Sequence, residues 1–188
     1  HRFDVGEDVP SRKGIVMTSV TSQAIATGVL FVHSCPKALA PHVEWALARE
    51  IGRVVKLEWT AQPLLPEVLR AEAIWRGPAG TAAAVASSLF GWQQLRFEIT
   101  EDQTSATAGG RWMHTPALGI FHMQTDVAGN GVLSEDAVRA AIVGAEGDAE
   151  RLARELRLAL GEAWDEELEP FRSAEEGDAQ VLTLHRVG

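Results

Sequence analysis

Three side chains capable of chemistry crowd into one short passage, FVHSCPKALAPHVEWAL at 31–47. His33 and Cys35 stand two apart, a spacing that places both on one face of an extended strand. His42 follows in what reads as the first turn of a helix. A thiol near an imidazole and a helix N-terminus is the arrangement that lowers a cysteine pKa and makes a nucleophile. The same three groups are a candidate zinc set. Against both readings, there is no CxxC and no HExxH, and Pro36 removes a backbone donor that a thiolate would use. His122 follows His114 by eight positions across the turn TPALG, a spacing that suits a hairpin. His33, Cys35, His42 and His122 are therefore the candidates for catalysis, with a hydrogen-bonded structural corner the preferred reading. No metal and no cofactor is expected.

Two further stretches are read as structure. The acidic run WDEELEP carries Asp165, Glu166, Glu167 and Glu169 but lacks the spacing and glycine of a calcium loop, so a solvated helix face is expected. GPAGT at 77–81 precedes a helix and offers an N-terminus to an anion, yet GxGxxG and GxxxxGK are both absent, and a turn is expected.

The elements that must position these groups follow from periodicity. Residues 1–27 show none and are read as an extension; Met17 is a candidate initiator, which would make 1–16 an upstream addition. GVLFVHSC is an apolar run fit for a central strand, and Pro36 and Pro41 punctuate entry to the helix PHVEWALAREIG, which Gly52 stops. RVVKLEW alternates as a half-buried strand, VLRAEAIWR alternates again, GTAAAVASSLFGW reads as a small-residue helix, and QQLRFEITE closes the set. Displacing the chain by 40 positions lays one strand–helix–strand half on the other. The fold class expected is α+β, with residues 28–101 a ferredoxin-like βαββαβ two-layer sandwich. Its outer face, carrying Lys56, Glu58, Arg70, Glu72, Arg96 and Glu98, reads as solvated.

Residues 102–188 read as an α+β extension docked on the sandwich to form one compact unit. One or two strands surround the turn TPALG, Ser134 and Asp148 cap two helices, EAWDEELEPF is helical as far as Pro170, and QVLTLHRV at 180–187 is a closing strand.

Composition narrows function. With 46% hydrophobic and 23% charged residues the chain is globular in type, and its 17 basic against 26 acidic residues give a net charge of −9, a field that repels phosphate backbones. Nucleic acid is not an expected partner. One cysteine, no long apolar run and no leader pattern point to the cytoplasm without membrane insertion. The clearest surface signal is Trp45, which falls opposite the stripe Val43, Leu47 and Ile51, on a ridge with His42 and Arg49. Cover by the C-terminal segment is the expectation, and cover by another protein the alternative, since Trp beside Arg is typical of binding hot spots.

The stretches GVLFVHSCPKALAPHVEWAL, GWQQLRFEITED, TPALGIFH and WDEELEPFR resemble the motifs of an actinobacterial family of uncharacterised proteins, domain of unknown function 3145, from residue 28 to about 187. The resemblance implies an actinobacterial cytoplasmic protein whose gene neighbours serve fatty-acid synthesis. It demands no cysteine at the position of Cys35, which weakens a thiol mechanism. The function expected is a non-catalytic protein-binding or regulatory protein linked to fatty-acid metabolism. It would dock another protein, such as an enzyme of that metabolism, through His42, Trp45 and Arg49; homo-oligomers are compatible with this reading. The alternative is a small-molecule-binding protein or weak enzyme with a pocket lined by His33, His42 and His122 where the two segments meet.

Overall fold

The computed structural model describes residues 24–174 and 180–182. The expectations for residues 1–23 and for 183–187 of the closing strand lie outside the described residues. The chain runs β1 (Ile25–Pro36), α1 (Ala40–Ile51), β2 (Thr60–Ala61), β3 (Val68–Pro78), α2 (Thr81–Leu89), β4 (Arg96–Glu101), β5 (Gly109–Thr115), β6 (Gly119–Thr125), β7 (Gly131–Val132), α3 (Glu135–Ala145), α4 (Ala149–Ala159), α5 (Glu162–Ser173) and β8 (Gln180–Leu182). Seven strands pair antiparallel in the order β2-β3-β1-β4-β5-β6-β7, and β8 adds to β3 in parallel. The fold is thus mixed α+β. The first strand begins at Ile25, three residues before the expected boundary.

Local sequence explains the helices. Pro41 sits in the first turn of α1, and Gly52 ends it in the left-handed region at φ 79°. Ser134 Oγ accepts from the Ala137 N–H, and an Asp148 carboxylate oxygen accepts from the N–H groups of Glu150 and Arg151, so α3 and α4 carry the caps their sequences announce. Helix α5 continues through Pro170 to Ser173, beyond the expected end. A proline removes one helical hydrogen bond; buried Phe171 and the ion pairs of Arg172 lie just beyond it and hold the last turn.

The main core lies between the sheet and the α1–α2 layer, where Leu30, Leu47, Val85, Leu89, Phe97 and Ile99 are sealed from solvent. Each such side chain stabilises the fold by about 1.5–3 kcal/mol relative to exposure. Gly28 makes one packing feature possible: the Trp75 indole crosses over it from β3 to donate Nε1–H to the Thr100 carbonyl of β4 at 3.1 Å, and a Cβ on Gly28 would stand 1.9 Å from that oxygen.

Two expectations are corrected. Residues 54–59 do not form a strand, although Val55 and Leu57 are buried and Lys56 and Glu58 exposed as the alternation requires. The segment docks on α1 instead. Glu44 Oε1 accepts from the Leu57 N–H at 3.0 Å and the Trp59 indole N–H at 3.1 Å, while Lys56 Nζ donates to Oε2 at 2.7 Å. Only Thr60 and Ala61 pair with β3.

The second correction concerns the outer face of the sheet, which is covered around Arg96 and Glu98 rather than solvated, while Lys56 and Glu58 stay exposed. Strands β5–β7 extend the sheet at the β4 edge, and α5 lies across the far face. Its Trp164 stacks near Phe121 and donates to the Gly119 carbonyl, Phe171 packs under Arg96, and Leu168 is fully buried. Gly161, at φ 81°, lets α5 start against Phe121, where a Cβ would come within 2.6 Å of the ring. The molecule therefore has helices on both faces of one continuous sheet.

Candidate functional site

A β-bulge decides what the opening motif can do. Relative to β3, the register of β1 slips by one residue between Val32 and Cys35, and relative to β4 between Val32 and Ser34. One inserted residue re-aims the side chains around it. His33 consequently points to the α5 face, and Cys35 joins the core beneath α1. The expected shared face does not exist. Cys35 is fully buried, donates its S–H to the Pro36 carbonyl, and burial pushes its thiol up to about 12. A thiol so protonated supplies no nucleophile at neutral pH.

The histidines are likewise dispersed. His42 is exposed on α1, with its ring 6.0 Å from that of Trp92. His114 is buried with Nδ1 2.8 Å from the Leu95 carbonyl, which can only accept, so that nitrogen carries the proton; its ring stacks on Phe97. His122 stacks on Trp112 at 4.4 Å, on an exposed part of β6. His33 lies against Glu98, His42 beside Trp92 and His122 on Trp112, three separate places. Among the described residues no group of three or more His, Cys, Asp or Glu has the geometry of a metal site.

The anion site offered by GPAGT is filled from within. Glu101 Oε1 accepts from the Gly80 N–H at 2.7 Å and Oε2 from the Ala82 N–H at 3.0 Å, so a carboxylate from β4 occupies the N-terminus of α2.

The densest polar cluster was not legible as a site. Glu98, only 5% exposed, projects from β4 beneath α5. Oε1 lies 2.8 Å from His33 Nε2 and accepts from Arg172 Nε at 2.6 Å; Oε2 accepts from Arg172 Nη2 at 2.8 Å and Arg111 Nη2 at 2.7 Å. Asp165 Oδ1 accepts from both arginines, at 2.6 and 2.8 Å. Burial alone would raise the Glu98 pKa, but hydrogen bonds from His33 and Arg172 and the neighbouring positive charges outweigh it and hold the carboxyl well below the usual range. Two carboxylates and two guanidinium groups offset one another, an arrangement suited to fixing α5. Part of the acidic run is thereby engaged: Asp165 here, and Glu167 with Arg96 at 3.4 Å, while Glu166 stays exposed.

The groove on the opposite, helical face is different in kind. It measures about 700 Å³ and brings His42, Trp45 and Arg49 together with Arg53, Val54 and Trp92. Trp45 is 76% exposed and Val54 83%, so the expected cover of that indole by the C-terminal segment is absent among the described residues. The reason is topological: β5–β7 continue the sheet sideways and α5 takes the other face, which leaves the α1–α2 layer outermost. Arg49 is braced across the helix pair, with Nη2 donating to Ser88 Oγ at 2.6 Å and Nε to Glu50 Oε1 at 2.8 Å.

A family model described as "Protein of unknown function (DUF3145)" matches residues 29–186. No curated protein and no solved structure matches the chain. No helix among the described residues is long and apolar enough to cross a membrane.

Proposed function

The chain belongs to the DUF3145 family, and we propose that it is a non-catalytic protein-binding or regulatory protein whose docking surface is the groove along α1. The observation that carries this reading is the Trp45 indole, 76% exposed beside His42 and Arg49 on α1. Large exposed aromatic groups next to arginine are the usual energetic centre of protein interfaces. An enzyme of fatty-acid metabolism stands as the partner class within this proposal. For residues 25–101 we read a ferredoxin-like unit; the order β2-β3-β1-β4 with antiparallel neighbours, and helices α1 and α2 on one face, support it.

The test is a Trp45→Ala/Arg49→Ala variant that keeps its circular dichroism and melting temperature. Loss of a protein that co-purifies with the wild-type chain supports the reading. Retention of the same protein by the folded variant overturns it.

A further inference from the structure

We infer that one edge of the sheet is a self-association site, where β6 pairs antiparallel with β6 of a second copy of this chain about a two-fold axis at Phe121. This surface is separate from the groove along α1. Along Gly119–Met123, β6 has β5 on one side and no strand on the other among the described residues, because β7 pairs only with Gln124 and Thr125. The Asp126 N–H donates to the Asn130 carbonyl at 2.9 Å, continuing the β7 pairing. Since an antiparallel ladder alternates, the even-numbered residues of β6 are those that turn N–H and C=O away from β5. Ile120 and His122 therefore each present a donor and an acceptor to the open side.

Edges of this kind are ordinarily blunted by charge, proline, a bulge or a covering element. Residues 115–125 contain no Asp, Glu, Lys or Arg, Pro116 lies in the turn before the strand, and β5 and β6 pair without a register shift. In a chain of net charge −9, a second copy meets this edge without the repulsion that charged surface imposes.

Symmetry selects the register. With Ile120 of each copy opposite His122 of the other, all four outward groups of both chains are paired. Centring the axis on Ile120 sets His122 against Leu118, whose N–H already donates to Thr115 Oγ1. Centring it on His122 sets Ile120 against Gln124, which β7 occupies. Side chains agree with the Phe121 axis. Ile120 and His122 are exposed on the face that carries Trp112, so they meet across the two strands, and Phe121 meets its own counterpart on the α5 face beside Trp164. Gly119, with open space where a Cβ would stand, leaves room at the end where β7 begins.

Sedimentation velocity of the full chain tests this between about 1 and 200 μM; so short an edge belongs with the weak interfaces, and the dimer is expected in the upper part of that range. Ile120→Pro deletes an outward N–H and spares the ladder with β5, so it should weaken association about tenfold or more with circular dichroism unchanged. Ile120→Lys serves if the proline variant loses its fold. Ile120→Lys and His122→Glu should each weaken the dimer alone and restore it when mixed, because this register sets the two introduced charges opposite one another. A chain that stays monomeric throughout overturns the inference, whether or not a foreign strand takes the edge, and so does a mixture that fails to recover. A dimer that Ile120→Pro leaves intact also overturns it; if Trp45→Ala abolishes that dimer, the contact lies in the groove along α1.

Discussion

Glu98 receives Arg172 through both carboxylate oxygens, at 2.6 and 2.8 Å, although the two residues lie 74 positions apart. The pair fastens the last long helix to the middle of the sheet. Its energetics follow from burial: two guanidinium groups and one imidazole converge on a carboxylate that water scarcely reaches.

Glu98→Gln leaves Arg111 and Arg172 facing a neutral amide. The expected cost is about 3 kcal/mol, the range for breaking one side of a buried ion pair. Glu98→Gln/Arg172→Met removes charges of both signs and should cost less than the sum of the single changes. Urea denaturation of the four proteins of the cycle measures this, and additive losses would contradict the pairing.

Acid should expose the same bond. Glu98 in the folded chain titrates below its ordinary value of 4.5, so the unfolded chain takes up the proton first. Its contribution is complete above that value and disappears as pH falls from it toward the folded pKa. A stability profile between pH 7 and 2 should therefore drop less steeply below 4.5 in Glu98→Gln than in the wild type.

Glu101 caps a helix from outside it. Glu101→Ala leaves the Gly80 and Ala82 N–H groups without their acceptor and should cost about 1–2 kcal/mol. Amide hydrogen exchange at the first turn of α2 should rise in that variant, which separates loss of the cap from a general weakening.

Cys35 should be inert. With its thiol pushed up to about 12, modification by an alkylating reagent at neutral pH should run about a thousandfold or more slower than for an ordinary cysteine. Denaturant should restore the ordinary rate. Fast labelling of the native chain would contradict the burial.

Much of the fold was legible because α1, β3, α2 and β4 each announce themselves by period, proline or glycine. The exposed ridge of His42, Trp45 and Arg49 was legible for the same reason: a helix of known phase reveals which side chains stand opposite its apolar stripe. The bulge in β1 was not. GVLFVHSC is apolar nearly throughout, so nothing in its pattern shows that one residue has been inserted, and a one-residue slip moves side chains to the other face.

The strand expected at 53–59 shows the complementary limit: alternation reports which side is buried, not whether the hydrogen-bond partner is a strand or the Glu44 carboxylate. The cover over Glu98 did leave a signal. Trp164, Leu168 and Phe171 recur at helical spacing beside Asp165 and Arg172, and an apolar stripe must lie on something. The bare outer face of the sheet was the available place.

The placement of α5 has a consequence for synthesis. Residues 162–173 leave the ribosome after every strand from β1 to β7, so until they arrive the nascent chain presents His33, Glu98 and Met113 to water and to quality-control proteases. A chain ending short of Arg172 would carry the Glu98 charge with only part of its counterbalance.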